Sequence, residues 1–331
     1  MGNCLLTPNT QVKLSVLLIT YNHEPFIAQA INSVLMQKVD FNYELVAGDD
    51  CSTDGTREIL SNFRNSYPDK IRLVLSEKNS SESANIARTI QKCRGQYIAL
   101  LDGDDFWTSP HKLQKGADYL DNHPECALCF HNVTVFQEDG SREPFNYNPS
   151  DQKEVSKLED LWASNFIATC SLMLRWDLIR PLPAWYSTLQ FGDWPLYLFA
   201  AMKGNIGYIS EVMGAYRIHG GGAWSGASRI QQEESLVNFY RTMDARLGFA
   251  NHRSIRSHLS KRYFSLASEY EATNDFINAK KNVVKSLLEA PFNKRVPRSH
   301  LFGMLLRLYA PAPYRIISAV RKVFNPTGPT S

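Results

Sequence analysis

Short apolar runs that alternate with amphipathic segments dominate the N-terminal third of the chain. Four runs, Leu14–Ile19, Tyr43–Ala47, Ile71–Leu75 and Gln96–Leu101, have the length and character of buried strands. Between them, apolar positions recur at helical spacing, as in the segment Phe26–Leu35. This alternation predicts an α/β fold whose sheet is mostly parallel and carries helices on both faces.

Polar clusters follow three of these runs, at Thr20–His23, Asp49–Asp54 and Asp102–Asp105. Because right-handed crossovers gather the carboxyl ends of parallel strands along one edge, we expect the three clusters to meet there. Asn22 is a candidate cap for the first helix. The close carboxylates of the third cluster repel one another unless a cation such as Mg²⁺ or Mn²⁺ neutralises them. A surface turn is the alternative, since Asp and Gly are ordinary turn residues.

The pattern changes after Gly140, where polar and turn-rich segments interrupt the alternation. From about Ile230 the spacing of apolar residues predicts helices only, including a helical hairpin that turns near Asn274-Asp275. We therefore predict two domains, an α/β domain over residues 1–228 and an all-helical appendage over residues 229–331.

The composition is that of an ordinary globular protein with a large core. The 331 residues are 44% hydrophobic, and a formal net charge of +3 is too small to indicate a nucleic-acid partner. The Cys126–Cys129 pair has CxxC spacing but no second pair, so we expect core packing and a reducing cytoplasm. No signal-peptide pattern opens the chain, and no apolar stretch reaches the roughly eighteen residues that a membrane span requires.

Positive charge is concentrated near the C-terminus. The Lys and Arg residues there include Lys280, Lys281, Lys285, Lys294, Arg295, Arg298, Arg307, Arg315, Arg321 and Lys322. Residues 315–324 predict an amphipathic helix with its basic side chains off the apolar face. Two interpretations stay open for these basic C-terminal helices, a docking helix with a solvated face and peripheral contact with an anionic membrane surface.

Three motifs, in this order, resemble those of the inverting glycosyltransferases of family 2, which have the GT-A fold. Leu14–Asn22 is similar to the family's opening strand and Thr-Tyr-Asn turn, and Asp49–Thr56 resembles its Asp-Asp-x-Ser-x-Asp-Gly-Thr motif. Leu101–Asp105 resembles its Asp-x-Asp segment. The similarity covers roughly residues 13–225 and implies a Rossmann-like GT-A domain of the type that builds bacterial surface polysaccharides.

The resemblance also implies roles for the matching positions. The implied nucleotide-sugar-binding residues are Thr20, Tyr21, Asn22, Asp49, Asp50, Asp102, Gly103, Asp104, Arg217 and His219. The implied metal ligands, for Mn²⁺ or Mg²⁺, are Asp104, Asp105 and His219. Asp193 falls where the family places its general base, although many members have Glu-Asp where this chain has Gly192-Asp193. For Asp193, an N-cap of the following helix is the structural alternative.

These residues together predict a metal-dependent inverting glycosyltransferase in the cytoplasm, with peripheral contact at the inner membrane face as an open alternative. Its expected partners are a nucleotide-diphosphate sugar and a glycan or lipid-linked acceptor, with no nucleic acid. The Gly-x-Gly-x-x-Gly turn of a dinucleotide-dependent oxidoreductase is missing after the first run, and so is the basic glycine-rich loop of a nucleotidyltransferase. The remaining alternative is a degenerate GT-A module that binds nucleotide sugars without turnover.

Overall fold

The structure, a computed structural model, describes residues 11–222, 224, 226–248 and 252–310. Its internal contacts divide the chain into two compact units, Met1–Ser225 and Gly226–Ser331. The boundary expected from the sequence, after residue 228, lies directly before the first helix of the second unit.

The first unit consists of a ten-stranded sheet and six α-helices within the described residues. The strands are β1 Leu14–Thr20, β2 Tyr43–Asp49, β3 Ile71–Leu75, β4 Tyr97–Asp102, β5 Phe106–Trp107, β6 Cys126–Gln137, β7 Phe145–Asn146, β8 Val155–Ser156, β9 Met173–Arg175 and β10 Asn205–Ile218. The helices are α1 Ile27–Leu35, α2 Thr56–Ser66, α3 Glu82–Ile90, α4 Lys112–Asn122, α5 Leu158–Ala163 and α6 Asp193–Ala201. Short 3₁₀ turns occupy Thr169–Ser171, Trp176–Leu178 and Ala184–Thr188.

The strand order β3-β2-β1-β4-β9-β6-β10-β5 confirms the predicted α/β architecture. Strands β1 to β4 are parallel, and the register sets Thr20 opposite Asp49 and Ile19 opposite Asp102. The three polar clusters therefore do follow strands that end at one edge, because parallel strands in register terminate together. The core of this sheet is fully buried, including Leu14, Val16 and Leu45.

The sheet becomes mixed beyond β4, which the sequence pattern does not reveal. Strand β9 runs antiparallel to both β4 and β6, whereas the long strand β10 is parallel to β6. Strand β5, only two residues long, pairs antiparallel with β10 and sets Phe106 opposite Ala215. This short pairing holds the aspartate segment beside the end of β10, which contains Arg217 and is followed by His219.

The expected helix cap at Asn22 is wrong. Helix α1 begins at Ile27, and its N-cap position is held by Phe26 with no side-chain cap. Asn22 has a left-handed backbone, with φ of 54°, and its side-chain carbonyl accepts a hydrogen bond from the Thr53 amide at 2.8 Å. It thus ties the first polar cluster to the second, which a helix cap would not do.

The second unit is helical throughout its described residues. Its helices are α7 Arg229–Arg246, α8 His252–Ala272, α9 Phe276–Glu289 and α10 Arg298–Tyr309. The predicted hairpin is confirmed: α8 and α9 pack together, Asn274 has a φ of 63°, and the Asp275 side chain caps α9. Ala267, Val283 and Met304 form its small core.

The remaining sequence expectations concern cysteines and membranes. Cys126 and Cys129 are buried in β6, which confirms the core interpretation of the CxxC spacing. Across the described residues, none of the helices combines the length and apolar character required to cross a bilayer. The predicted amphipathic helix over residues 315–324 lies outside the described residues, so membrane contact stays a prediction.

Candidate active site

Two histidines and one aspartate converge at the carboxyl edge of the sheet. His219 Nε2 lies 3.0 Å and His23 Nε2 3.6 Å from Asp104 Oδ2. One ligand atom from each residue lies within 4.8 Å of the other two, a spacing that suits a single cation. Burial lowers the pKa of His23, the nearby Asp104 carboxylate opposes that shift and His219 adds to it. We call these three residues the His-Asp-His cluster.

Close backbone packing brings His23 into this cluster. A Cβ atom at Gly103 would lie 2.7 Å from Thr20 Oγ1 and 2.8 Å from His23 Nδ1, so only glycine allows this approach. The Thr20 hydroxyl and His23 Nδ1 are both buried and lack a hydrogen-bond partner within the described part of the chain. Sequence reasoning left His23 without a role, although its position directly after the Thr20–Asn22 turn is a usable signal.

Arg217 holds the loop that carries Asp104. Its Nε donates to the Asp104 carbonyl oxygen at 2.9 Å, and its two terminal nitrogens donate to Gln29 and Glu138. The guanidinium also lies 4.6 Å from the centre of the Phe26 ring. Three of the five N–H donors of the guanidinium thus have protein acceptors, and the bond to the Asp104 carbonyl fixes the loop that carries Asp104.

Asp105 is separate from the His-Asp-His cluster. Its side chain is buried, with 1% of the residue exposed, and accepts a hydrogen bond from the Arg217 amide at 2.8 Å. Burial raises the pKa of Asp105 well above its usual range, and Asp104 and Asp102 raise it further. The structure thus brings together two of the three metal ligands implied by the resemblance, Asp104 and His219, and joins them with His23.

The two aspartates that follow β2 differ in their surroundings. Asp49 is fully buried and accepts hydrogen bonds from the Ser52 amide and hydroxyl and from Arg57 Nε, the last at 2.6 Å. Asp50 accepts from the amide and hydroxyl of Ser80 and from Arg88. Tyr21, by contrast, is 42% exposed at the mouth of the site. Both carboxylates therefore accept three protein hydrogen bonds, and Asp49 lies slightly deeper, with 0% of the residue exposed against 5% for Asp50.

We therefore expect Asp49→Ala to act on folding more than on ligand binding. Removing the carboxylate leaves the donors of Ser52 and Arg57 without their acceptor, which should lower the free energy of unfolding by about 3 kcal/mol. Chemical denaturation measures this change, with Asp118→Asn, at an exposed position on α4, as the control. An unchanged unfolding free energy together with a lost nucleotide affinity would instead make Asp49 a ligand-binding residue.

Asp193 is the first residue of α6, and the N-cap position belongs to Gly192. The capping alternative for Asp193 is therefore not what the structure shows. Its Oδ2 accepts a hydrogen bond from Asn165 Nδ2 at 3.2 Å, and the side chain is only partly exposed. Burial raises the pKa of Asp193, while the Trp194 amide and Asn165 oppose that shift. A carboxylate with a raised pKa is a stronger base than an ordinary surface aspartate.

Asp102 and Glu82 are further acidic residues whose charges interact with that of Asp193. Burial raises the pKa of Asp102 well above its usual range, and the negative charges of Asp104 and Asp193 raise it further. Asp102 thus lies within electrostatic reach of both the His-Asp-His cluster and Asp193. Glu82 is the second residue that sequence reasoning missed, since it begins a helix with no motif around it. Only the packing of α3 brings it close to Asp193.

The sequence has known relatives. Residues 15–179 match the family model described as glycosyl transferase family 2. The uncharacterised protein Rv1520 of Mycobacterium tuberculosis is 36% identical over 215 residues, which cover 65% of this chain and 61% of that relative. The matched region therefore spans less than two thirds of that relative.

Solved structures share the fold of this chain. The crystal structure of S. aureus TarS 1-349 in complex with UDP-GlcNAc has a TM-score of 0.66 at 18% identity, and the match covers 95% of this chain and 93% of that one. The mannosyltransferase PcManGT from Pyrobaculum calidifontis, in complex with GDP-Man and Mn²⁺, has a TM-score of 0.57 at 17% identity, with 97% and 89% covered. The chain belongs to glycosyltransferase family 2, and it has the GT-A fold expected from its three motifs.

Proposed function

We propose that this chain transfers a sugar from a nucleotide-diphosphate sugar to a hydroxyl of a glycan or lipid-linked acceptor, with inversion and with the help of Mn²⁺ or Mg²⁺. The observation that carries the proposal is the pairing of two different chemical groups in one cleft. The His-Asp-His cluster lies around Asp104, a partly exposed carboxylate stands at Asp193, and the charges of both residues act on Asp102.

The donor atoms of the His-Asp-His cluster fit a divalent cation. The set consists of two imidazole nitrogens and one carboxylate oxygen, and imidazole is a better ligand for Mn²⁺ than for Mg²⁺, which prefers oxygen. A bound cation would neutralise charge on the leaving diphosphate. Arg217 supports this role from the protein side, since its bond to the Asp104 carbonyl fixes the loop that carries the carboxylate.

Asp193 is the base in this proposal. It would accept the proton of the acceptor hydroxyl while that oxygen attacks the anomeric carbon, and direct displacement then inverts the configuration. Asn165 holds the carboxylate through Oδ2. The nucleobase-binding end of the donor site would lie near Tyr21, whose side chain is exposed, and the buried carboxylates of Asp49 and Asp50 beside it.

The neighbours support the donor class but not a particular donor. One is in complex with UDP-GlcNAc and the other with GDP-Man and Mn²⁺, so both uridine and guanosine donors occur on this fold. A site for a lipid-linked acceptor would suit a protein at an anionic membrane face, in the cytoplasm, as the basic C-terminal residues suggest.

A donor panel tests the proposal. UDP-, GDP- and dTDP-sugars are titrated into the purified chain with and without Mn²⁺, and hydrolysis or transfer is followed by nucleotide release. We expect one donor class to bind in a metal-dependent way and to be hydrolysed slowly. Binding without any turnover, even with candidate acceptors present, would favour the degenerate binding module. No binding to any donor by the folded protein would contradict both.

A further inference from the structure

Glu82 is a carboxylate of the cleft to which nothing above gives a function. It is the first residue of α3, its side chain is exposed, and it forms no ion pair with a described residue. Part of the Glu82 side chain is in contact with solvent, yet the protein atoms around it still desolvate its carboxylate. Burial raises the pKa of Glu82 well above its usual range, Asp193 and Asp102 raise it further, and the amides of Gly192 and Asp193 oppose the shift. The start of α3 also lies directly against the residue before Asp193, since a Cβ atom at Gly192 would lie 3.0 Å from the Ser83 amide nitrogen, so Glu82 stands beside the candidate base.

The position of Glu82 is fixed by the helix that carries it. On either side of it, the Ser81 hydroxyl caps α3 and the Ser83 hydroxyl donates to the Leu189 carbonyl. Helix α3 also packs tightly against the start of α6, since a Cβ atom at Gly192 would lie 2.5 Å from Ile86 Cδ1. These contacts fix the backbone of Glu82 beside the start of α6.

A buried hydroxyl points into the same space. Tyr197 is fully buried, and its hydroxyl has no partner with hydrogen-bond geometry within the described residues, although Thr169 is close. Burial raises the pKa of Tyr197, and Asp193, Asp102 and Glu82 add to that effect, so this hydroxyl lies near all three carboxylates. An unsatisfied buried hydroxyl is costly, and a ligand oxygen or a water molecule would remove the cost.

A ligand with several hydroxyl groups suits these carboxylates and the Tyr197 hydroxyl. Like-charged carboxylates around one space repel, and hydroxyl donors relieve that repulsion without a counter-ion because each gives a hydrogen bond to a carboxylate oxygen. We infer that Glu82 is a specificity-determining residue that accepts a hydrogen bond from a hydroxyl of the transferred sugar, beside Asp193. This inference rests on the proposed function, since it assumes that the cleft holds the sugar of a nucleotide donor.

The test compares a nucleotide sugar with its own nucleotide. Calorimetric titrations with Mn²⁺ present measure the affinity of wild type, Glu82→Gln and Glu82→Ala for the donor found in the panel and for the matching nucleoside diphosphate. We expect Glu82→Ala to weaken donor binding by about 10- to 100-fold, as for loss of a charge-assisted hydrogen bond, with Glu82→Gln between it and wild type. The affinity for the nucleoside diphosphate should stay the same, because that ligand has no sugar to contact Glu82.

Glu58→Gln is the matched control, because Glu58 is an exposed first-turn glutamate on the neighbouring helix α2. It should change neither affinity. Deoxy donors, each lacking one sugar hydroxyl, give a second measurement. The deoxy donor that lacks the hydroxyl contacted by Glu82 should bind wild type more weakly than the full donor does. Glu82→Ala should bind that deoxy donor and the full donor equally.

Three results would overturn the inference. Equal losses for donor and nucleoside diphosphate, with a lowered melting temperature, would show that Glu82 only supports the packing of α3 on α6. Unchanged donor affinity in Glu82→Ala would show that the sugar does not reach it. A wild-type protein that binds no nucleotide sugar would remove the proposed function as well, and this result is visible before any variant is made.

Discussion

Asp193→Asn is expected to lower the turnover number by about 10²- to 10⁴-fold, the usual contribution of a general base. Asparagine keeps the shape of the side chain and its contact with Asn165, but an amide cannot accept the proton of the acceptor hydroxyl. The donor affinity should be nearly unchanged, since the substitution does not alter the His-Asp-His cluster or the nucleobase-binding end of the site. Steady-state transfer kinetics and donor titration, made on the same preparation, measure the two effects separately.

The control for this variant is Asp151→Asn, at an exposed position before β8, which should have wild-type kinetics. A variant that binds the donor and still transfers sugar at the wild-type rate would remove Asp193 from the role of base. Asp102 and Glu82 are then the next candidates, because both lie within electrostatic reach of the same space. A parallel loss of donor affinity and turnover would indicate a role in binding.

Asp104→Ala is expected to weaken Mn²⁺-dependent donor binding by more than about 100-fold, since even outer-sphere contacts of a metal site contribute 10- to 100-fold. Asp104 supplies the only carboxylate of the His-Asp-His cluster, and both histidine rings are placed around it. His23→Ala and His219→Ala should also weaken Mn²⁺-dependent donor binding, by a smaller factor. Titration of Mn²⁺ by electron paramagnetic resonance, with and without nucleoside diphosphate, measures the affinity directly.

Asp105→Asn distinguishes the His-Asp-His cluster from the metal ligands implied by the family resemblance, which include Asp105 in place of His23. Asparagine retains a carbonyl oxygen that can accept from the Arg217 amide, so the loop should keep its conformation and the Mn²⁺ affinity should change only slightly. If Asp105→Asn loses as much Mn²⁺ affinity as Asp104→Ala while its melting temperature is unchanged, Asp105 is a ligand and the proposed cluster is wrong. Asp118→Asn, on the exposed surface of α4, serves as the common control.

Strand and helix periodicity predicted the edge of the sheet where the site lies. The short apolar runs became β1 to β4, and their parallel register placed the polar clusters that follow them at one edge. The motifs also led to the family, which the comparisons show. The mixed half of the sheet could not be predicted in the same way, because two- and three-residue strands such as β5 and β9 are too short for a period to appear.

The same distinction between sequence and tertiary structure applies to the roles of individual side chains. The sequence by itself determined the α/β architecture, the family and the presence of Asp104, His219 and Asp193, because local patterning and motif order carry that information. The tertiary structure alone decided that His23 joins Asp104, that Asp105 is buried against Arg217, and that Glu82 stands beside Asp193. The physical reason is that such pairings depend on how distant segments pack, and neither periodicity nor spacing along the chain encodes the direction in which a side chain points.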